Sequence, residues 1–376
     1  MRKTSNNHPL RIGLIGAGRI VERAHLPVLL QNHDASVIGL FDPDYERAME
    51  ISSRFNVPYT CRSLDELFAL DLDATLIACP NHLHADMTIA ALEAKTHVIC
   101  EKPMAISVTQ AEAMLNKAET VGRELMAVST NRFRPEVIAL QDIIRDDILG
   151  EIKAVRCGWL RRQGIPGLST WFTSRNLAGG GVLTDLGSHL LDLVISIIGR
   201  RKVNSVSCVT TGLKNGRGQS SWYAPKTDAA DGSCDVEINA SGFVVFEGPL
   251  DLFIEVSWDC CVQNDRTYLQ FIGQRGAAQI ETLFGFSPNG IRPKHPLQIW
   301  VEGCPADEPV IGSDDLLQPY RDQWEFFIDS LRQGRKLSRY TYEALEMVRV
   351  IDAMYKSALY IEESSAIPNS PNSASR

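Results

Sequence analysis

The sequence predicts an α/β protein: an N-terminal doubly wound parallel sheet followed by a second α/β domain with an open, mostly antiparallel sheet. Three observations predict it. Over residues 10–131, short β-branched apolar runs alternate with segments of helical periodicity, the pattern of parallel strands joined by crossover helices. The first run leads directly into Gly16-Ala17-Gly18 and an apolar-periodic helix, a turn that lets a backbone approach a phosphate at a helix N-terminus. Beyond Asn131 the alternation gives way to strand-like runs at hairpin spacing, closed by two helices.

Composition bounds the function. A chain of 376 residues is long enough for two domains, and 44% hydrophobic with 22% charged residues is ordinary for a soluble protein. The formal charge of −8 argues against nucleic acid or an anionic membrane as the main partner. Nine cysteines, an odd count without C-x-x-C spacing, fit a reducing compartment, so a cytoplasmic location is expected. Residues 1–9 are polar and are expected to be a flexible terminus without a signal peptide. No apolar run approaches transmembrane length.

Taken in order, Leu10–Ile15 is the first strand, and Gly16 and Gly18 form the turn into a helix reaching about Leu30. Val21 stands where a third glycine would allow close helix–strand packing, so a displaced helix is expected. A second strand, Ser36–Phe41, ends at Asp42, twenty-four residues past Gly18. A carboxylate there accepts hydrogen bonds from ribose hydroxyls and repels a 2′-phosphate, which favours NAD over NADP. Asp42-Pro43-Asp44 also suits a helix-capping turn, and both roles are compatible. Gly16, Gly18, Arg19, Ile20, Asp42 and Arg47 are the candidate cofactor residues of this half.

A helix over Tyr45–Phe55, a short strand near Pro58 and a capping box at Ser63-Leu64-Asp65-Glu66 follow. The strand Ala74–Cys79 then delivers Cys79, Asn81 and His84 to its carboxyl end, where they are candidates for the nicotinamide side; Asn81 equally suits a helix N-cap. Thr96–Cys100 is a further strand, and it emerges at Glu101-Lys102-Pro103. Pro103 keeps Lys102 out of the α region. Ligands of open α/β sheets bind beyond the carboxyl ends of strands, so Lys102 is placed either for chemistry or as one half of a surface ion pair. A helix over Ser107–Val121 and a strand over Leu125–Val128 complete the domain, residues 10–131.

Residues 132–361 form the expected second domain. It opens with a helix over Phe133–Ile148 and continues with strands over Lys153–Arg161, Asn204–Thr211, Val236–Phe246, Leu252–Trp258, Thr267–Ile272 and Ala277–Thr282. Lys214–Gly232 reads as a long hairpin loop, Tyr320–Leu331 and Thr341–Ile361 as helices, and 362–376 as a disordered tail. The segment Ala178–Asp192, with Gly179-Gly180-Gly181 at its start, places Asp185 and His189 four residues apart on one helix face, with Asp192 beside them. A carboxylate next to an imidazole fixes its tautomer and raises its basicity. An ordinary helix-surface pair has the same spacing. No thiolate or second histidine lies nearby, so no metal site is expected.

Gly16-x-Gly18, then Glu101-Lys102-Pro103, then Gly179-Gly180-Gly181-x-x-x-Asp185-x-Gly187-x-His189-x-x-Asp192, in this order, resembles the glucose–fructose oxidoreductase / inositol dehydrogenase (Gfo/Idh/MocA) family from about Leu10 to Ile361. The resemblance implies a Rossmann domain, a second domain whose sheet forms a homodimer or homotetramer interface, and NAD(P)-dependent oxidation of a sugar or cyclitol hydroxyl or its reverse. It implies Lys102, Asp185 and His189 as the catalytic trio. It also places Lys102, Asn131, Arg162, Trp171, Arg175, Asp185 and His189 near the substrate, and Glu101, Lys102, Arg132 and Trp171 near the cofactor. Alcohol oxidation needs a base within reach of the hydroxyl and a donor for the developing alkoxide. His189 and Lys102 suit these roles in either assignment. Two rival readings are a redox-assisted glycoside lyase or hydrolase, for which no additional acid/base is identifiable, and a dinucleotide-binding sensor, which the intact trio argues against.

Overall fold

Apolar runs of three to seven residues build the first sheet. In chain order the elements are β1 (Leu10–Ile15), α1 (Leu26–Leu29), β2 (Ala35–Phe41), α2 (Tyr45–Phe55), β3 (Tyr59–Cys61), α3 (Leu64–Phe68), β4 (Ala74–Ile77), α4 (His84–Glu93), β5 (His97–Cys100), α5 (Val108–Val121) and β6 (Leu125–Ala127). The strands pair in parallel in the order β3-β2-β1-β4-β5-β6. The order reverses between β1 and β4, which opens a crevice at their carboxyl ends. Every residue of β4 is buried, as a strand covered by helices on both faces requires. The helix expected after Gly18 begins as a wide turn over Val21–His25 before α1, with Val21 fully buried where the third glycine is missing. The structure is a computed structural model that describes residues 8–212, 234–282, 284–286, 293, 295–302 and 315–364, with side chains described to residue 358. The expected loop at 214–232, most of the polar terminus 1–9, and the tail beyond 364 lie outside the described residues.

The second half contains α6 (Pro135–Arg145), β7 (Ile152–Leu160), α7 (Arg175–Ala178), α8 (Ser188–Ile198), β8 (Val203–Gly212), β9 (Glu237–Phe246), β10 (Leu250–Ser257), β11 (Arg266–Gly273), β12 (Gly276–Thr282), β13 (Leu297–Val301), α9 (Gln318–Arg332) and α10 (Ser338–Ser364). The sheet order is β13-β12-β11-β7-β10-β9-β8. Only β7 and β10 run parallel; the other neighbours are antiparallel. The edge strand β13 has no counterpart among the expected strands. One face is core: Val155, Cys157, Val244, Leu252, Ile254, Leu269 and Phe271 pack with the apolar side of α8 and α10. Burying each such large side chain contributes roughly 1.5–3 kcal/mol relative to exposure. The register places Val209, Phe243 and Trp300 together on the opposite face, where all three are exposed.

Two expectations are corrected here. The boundary at 131/132 leaves α9 on the wrong side: Trp324, Phe327 and Ile328 pack with Leu10, Ile12, Val21 and Leu29 in the core of the first sheet. The helical stretch from Arg175 to Ile198 is long and apolar enough to cross a membrane by length and composition, although no such run was expected. Most of it is buried within the protein, as suits a core helix.

Candidate active site

The carboxyl ends of β1, β4 and β5 face the chain around β7 and α8 across a cavity of about 450 Å³. Gly16 adopts φ +108°, a conformation open to glycine, and its N–H donates to Phe41 O at 2.8 Å. Asp42 ties this turn to the end of β2. Its Oδ2 accepts from Ala17 N at 2.7 Å and its Oδ1 from Asp44 N at 2.9 Å. Gly18, Arg19, Ile20 and Asp42 line the cavity. A Cβ at Gly18 would approach only Ala78 O, at 3.9 Å, so it would fill open cleft; the turn therefore fits a dinucleotide lying close against the backbone. Arg47, expected at the cofactor, does not line the cavity. It is held by Glu22 and by Glu50, the latter at 2.7 Å, and its Nε donates to Ala17 O at 3.3 Å.

At the end of β4, Cys79, Asn81 and His84 line the same cavity. Burial pushes the Cys79 thiol up to about 12, so it stays protonated. Asn81 is not the N-cap of a helix: its Nδ2 donates to Ala178 O at 2.9 Å and so ties the first half of the chain to α7. The His84 ring is wedged between two carbonyls, with Nδ1 2.7 Å from Pro103 O and Nε2 2.9 Å from Cys79 O. It thereby fixes the backbone beyond β5 to that beyond β4.

Glu101 is buried behind the lysine. Its Oε1 lies 2.8 Å from His25 Nε2, and its Oε2 accepts from Lys102 N at 3.0 Å. The indole N–H of Trp324 donates to His25 Nδ1 at 3.0 Å. An indole only donates, so Nδ1 is the acceptor and Nε2 carries the proton given to Glu101. Burial alone would push the Glu101 carboxyl up; His25 and Lys102 outweigh it and hold the group below its usual range.

Lys102 reaches across the cavity. Its Nζ donates to Asp185 Oδ1 at 2.7 Å and to Asp185 O at 3.3 Å. The other carboxylate oxygen accepts from Trp258 Nε1 at 2.9 Å. Burial would raise the Asp185 carboxyl, but Lys102 and Arg161 hold it at about 2. The i,i+4 spacing therefore does not make Asp185 the partner of His189, and this expectation is corrected. Residues Leu183–Gly187 form a wide turn ahead of α8, and the carboxylate is spent on Lys102 and Trp258. The imidazole pairs with Asn131, whose Nδ2 lies 3.3 Å from His189 Nδ1, while Nε2 makes no hydrogen bond among the described residues. Burial, then the Lys102 charge, pulls His189 down to about 3, the reverse of the expected rise in basicity. Trp171 lines the cavity, its ring 4.0 Å from that of Phe172.

Besides Arg47, three expected site residues lie elsewhere. Arg132 is buried against Asp192, with Nε to Oδ2 at 2.8 Å and Nη2 to Oδ1 at 2.5 Å, and against Glu343. The short turn Thr130–Phe133 sends Asn131 to the cavity and Arg132 away from it, and Asp192 is engaged there too. Arg162 is exposed outside the cavity, where its backbone N donates to Asp265 Oδ1 at 2.8 Å. Arg175 also lies outside, with its guanidinium 3.8 Å from Glu237 and over the Tyr355 ring. Sequence reasoning did not single out His25, Trp159, Trp258 or Trp324. Trp258 closes a run that was read as a strand, but no local spacing signals that its N–H meets Asp185, 73 positions away.

Residues 10–129 match the sequence family described as an oxidoreductase family with an NAD-binding Rossmann fold, and 137–279 match the GFO/IDH/MocA C-terminal domain. The chain belongs to the Gfo/Idh/MocA oxidoreductases. It is 31% identical over 365 residues to a candidate UDP-kanosamine synthase oxidoreductase subunit of Amycolatopsis mediterranei (strain S699), covering 96% of this chain and 99% of that one. It is 28% identical over 285 residues to D-glucoside 3-dehydrogenase of Escherichia coli (strain K12), covering 74% and 79%. Among solved structures, levoglucosan dehydrogenase in complex with NADH and levoglucosan shares the fold of this oxidoreductase. That match has a TM-score of 0.78 at 20% identity, over 94% of this chain and 98% of that one.

Proposed function

We propose that this oxidoreductase is an NAD-dependent dehydrogenase that oxidises a secondary hydroxyl of a sugar or cyclitol, or reduces the corresponding ketone. The observation that carries the reading is the half-buried Lys102–Asp185 pair beside His189, facing a glycine turn across one cavity. Sugar dehydrogenases among the relatives support the substrate class. Gly16, Gly18, Arg19, Ile20 and Asp42 would hold the dinucleotide, with Cys79, Glu101 and Trp171 toward its nicotinamide end. Bound NAD supplies the hydride acceptor, and NADH the donor. Asp42 favours NAD, because its carboxylate would face a 2′-phosphate with like charge.

Lys102 donates to the substrate oxygen and stabilises the alkoxide as it forms. Asp185 aims the ammonium, and the dry cavity strengthens that attraction relative to water. Trp258 stops the carboxylate from turning. His189 serves both directions through its tautomers. When the Asn131 amide nitrogen donates to Nδ1, Nε2 carries the proton and donates a hydrogen bond to a ketone oxygen, while the proton that the forming alkoxide takes up comes from the Lys102 ammonium. A half-turn of the Asn131 amide puts its oxygen against Nδ1–H, and Nε2 then offers a lone pair to a hydroxyl proton.

The test is NADH formation in a panel of sugars and cyclitols, run with NAD and with NADP. Turnover of at least one polyol with NAD, and tighter binding of NAD, is the expected result. Dinucleotide binding without turnover of any member would favour a sensor. The exposed Val209, Phe243 and Trp300 on the outer sheet face support a homodimer or homotetramer through that face. Light scattering of the Phe243→Glu variant reports a smaller particle if this is so. The eight described cysteines are all free thiols, which supports a cytoplasmic location.

A further inference from the structure

Two side chains where β7 runs out into the cleft carry buried N–H donors that no acceptor among the described residues meets: Trp159 Nε1 and Arg161 Nε. The strand ladder extends through Arg161, whose N donates to Ser257 O at 3.0 Å. Positions two apart on an extended chain share a face, and both residues line the cavity. The Arg161 guanidinium lies over the Trp159 indole, 5.5 Å from its centroid. That indole is in turn 5.6 Å from the His189 ring. The other cations of this wall are neutralised, Lys102 by Asp185 and Arg134 by Glu136. Among the described residues no carboxylate lies within ion-pair distance of Arg161, and Asp185 and Asp265 act on it only from further away. A buried donor without an acceptor is destabilising, and a charged one more so. Two such donors side by side on one wall of a substrate cavity mark a place for an anionic acceptor.

We propose that Trp159 and Arg161 form a subsite for an anionic substituent of the sugar, a carboxylate or a phosphate. The inference rests on the dehydrogenase reading and narrows its substrate class. A guanidinium fork takes two oxygens of such a group at once, and the indole N–H adds a third donor. Only one indole ring separates Arg161 from His189, so the charged group sits on the reacting sugar ring or on the atom joined to it. Asp185 and Glu101 flank Lys102 and keep an anion from sliding onto it.

The test uses the NAD-loaded protein with glucose, glucuronate, glucose 6-phosphate and UDP-glucose. It reads NADH formation, and separately binding by quenching of tryptophan fluorescence. Wild type is expected to bind at least one charged sugar about 10–10²-fold more tightly than glucose, the range of a hydrogen bond to a charged group. Glucuronate or glucose 6-phosphate in that place distinguishes a carboxylate from a terminal phosphate, and UDP-glucose a diphosphate. Arg161→Gln is expected to collapse the charged-to-neutral binding ratio toward one, and Arg161→Lys to restore it in part. An unchanged ratio in Arg161→Gln, or glucose bound as tightly as every charged sugar, overturns the proposal. If the ratio collapses as expected yet no sugar yields NADH, the subsite stands and the dehydrogenase reading fails instead.

Discussion

Lys102 Nζ stands 2.7 Å from Asp185 Oδ1, a contact between residues 83 positions apart that joins the end of β5 to the turn before α8. The pair is mostly withdrawn from water, with side chains 21% and 12% exposed, so its geometry is set by the fold. Asp185→Asn keeps the shape and the acceptor for Trp258 but removes the charge that aims the ammonium. Turnover should fall by about 10²–10³-fold, the cost of losing a preorganised electrostatic contact. NAD affinity should change little. Stopped-flow reduction at saturating NAD measures the first and a fluorescence titration the second; a variant with normal turnover would reduce the pair to a structural bridge.

The His189 imidazole is controlled from Asn131. His189→Ala is expected to lower turnover by about 10²–10⁴-fold, the range for loss of an acid–base group. Asn131→Leu leaves the imidazole in place but frees its tautomer. It should lower turnover in both directions by a smaller factor, with the loss in kcat rather than in NAD affinity. An Asn131→Leu enzyme indistinguishable from wild type in both directions would detach Asn131 from the chemistry.

Stability should fall on mild acidification. Folding pulls His189 from 6.5 to about 3 and His97 from 6.5 to about 4, each chiefly through burial. Between those values and 6.5 the unfolded chain binds protons that the folded one refuses. Stability therefore rises with pH through this window and is lost as pH falls from about 6.5 toward 4. Each imidazole contributes up to about 1.4 kcal/mol per pH unit to the slope. Urea midpoints at pH 7, 6 and 5 should decline in that order; a flat series would mean that both rings protonate in place.

Gly181 leaves no room for a side chain, because a Cβ there would lie 2.0 Å from Glu237 O. The neighbouring Glu237 Oε1 accepts from the N–H groups of Gly181 and Leu183 and from the Tyr355 hydroxyl. Gly181→Ala should therefore push the turn that carries Asp185 off β9, at a cost of about 1–3 kcal/mol. Thermal unfolding reads that cost directly. An unshifted midpoint would show that the turn yields freely.

Asp42→Asn retains an oxygen for Ala17 N while removing the charge. The ratio of NAD to NADP affinity should narrow by about tenfold or more, since a like-charge juxtaposition costs on the order of a kcal/mol or more even in partly solvated surroundings. Parallel fluorescence titrations with the two dinucleotides check it, and an unaltered ratio would place the discrimination elsewhere.

Local pattern carried much of this molecule. The alternation over 10–131 and the hairpin spacing beyond it are properties of neighbouring residues, and both sheets follow them. Lys102 was legible because strand, charge and proline are consecutive. Pairings were less legible. The spacing of Asp185 and His189 suggested each other, whereas their partners, Lys102 and Asn131, are 83 and 58 positions away. Asn131 and Arg132 are adjacent in sequence and point to different places, because one short turn separates their side chains. The strand β13 was missed at the sheet edge, where five residues beside a polar stretch give a weak alternation signal. The amphipathic pattern of α9 showed that it buries a face, but it does not record which sheet receives it.

That allegiance of α9 has a consequence for synthesis. Trp324 meets His25 across 299 positions and closes the apolar layer over β1. A ribosome adding about 5–20 residues per second needs roughly 15–60 s to travel that distance. For the last two thirds or so of that time the completed first sheet has its nucleotide-facing turn but not its lid of Trp324, Phe327 and Ile328. A product truncated ahead of Gln318 would keep that greasy surface permanently and would be a target for chaperones and proteases. The nucleotide-facing half thus completes its core only once α9 has left the exit tunnel.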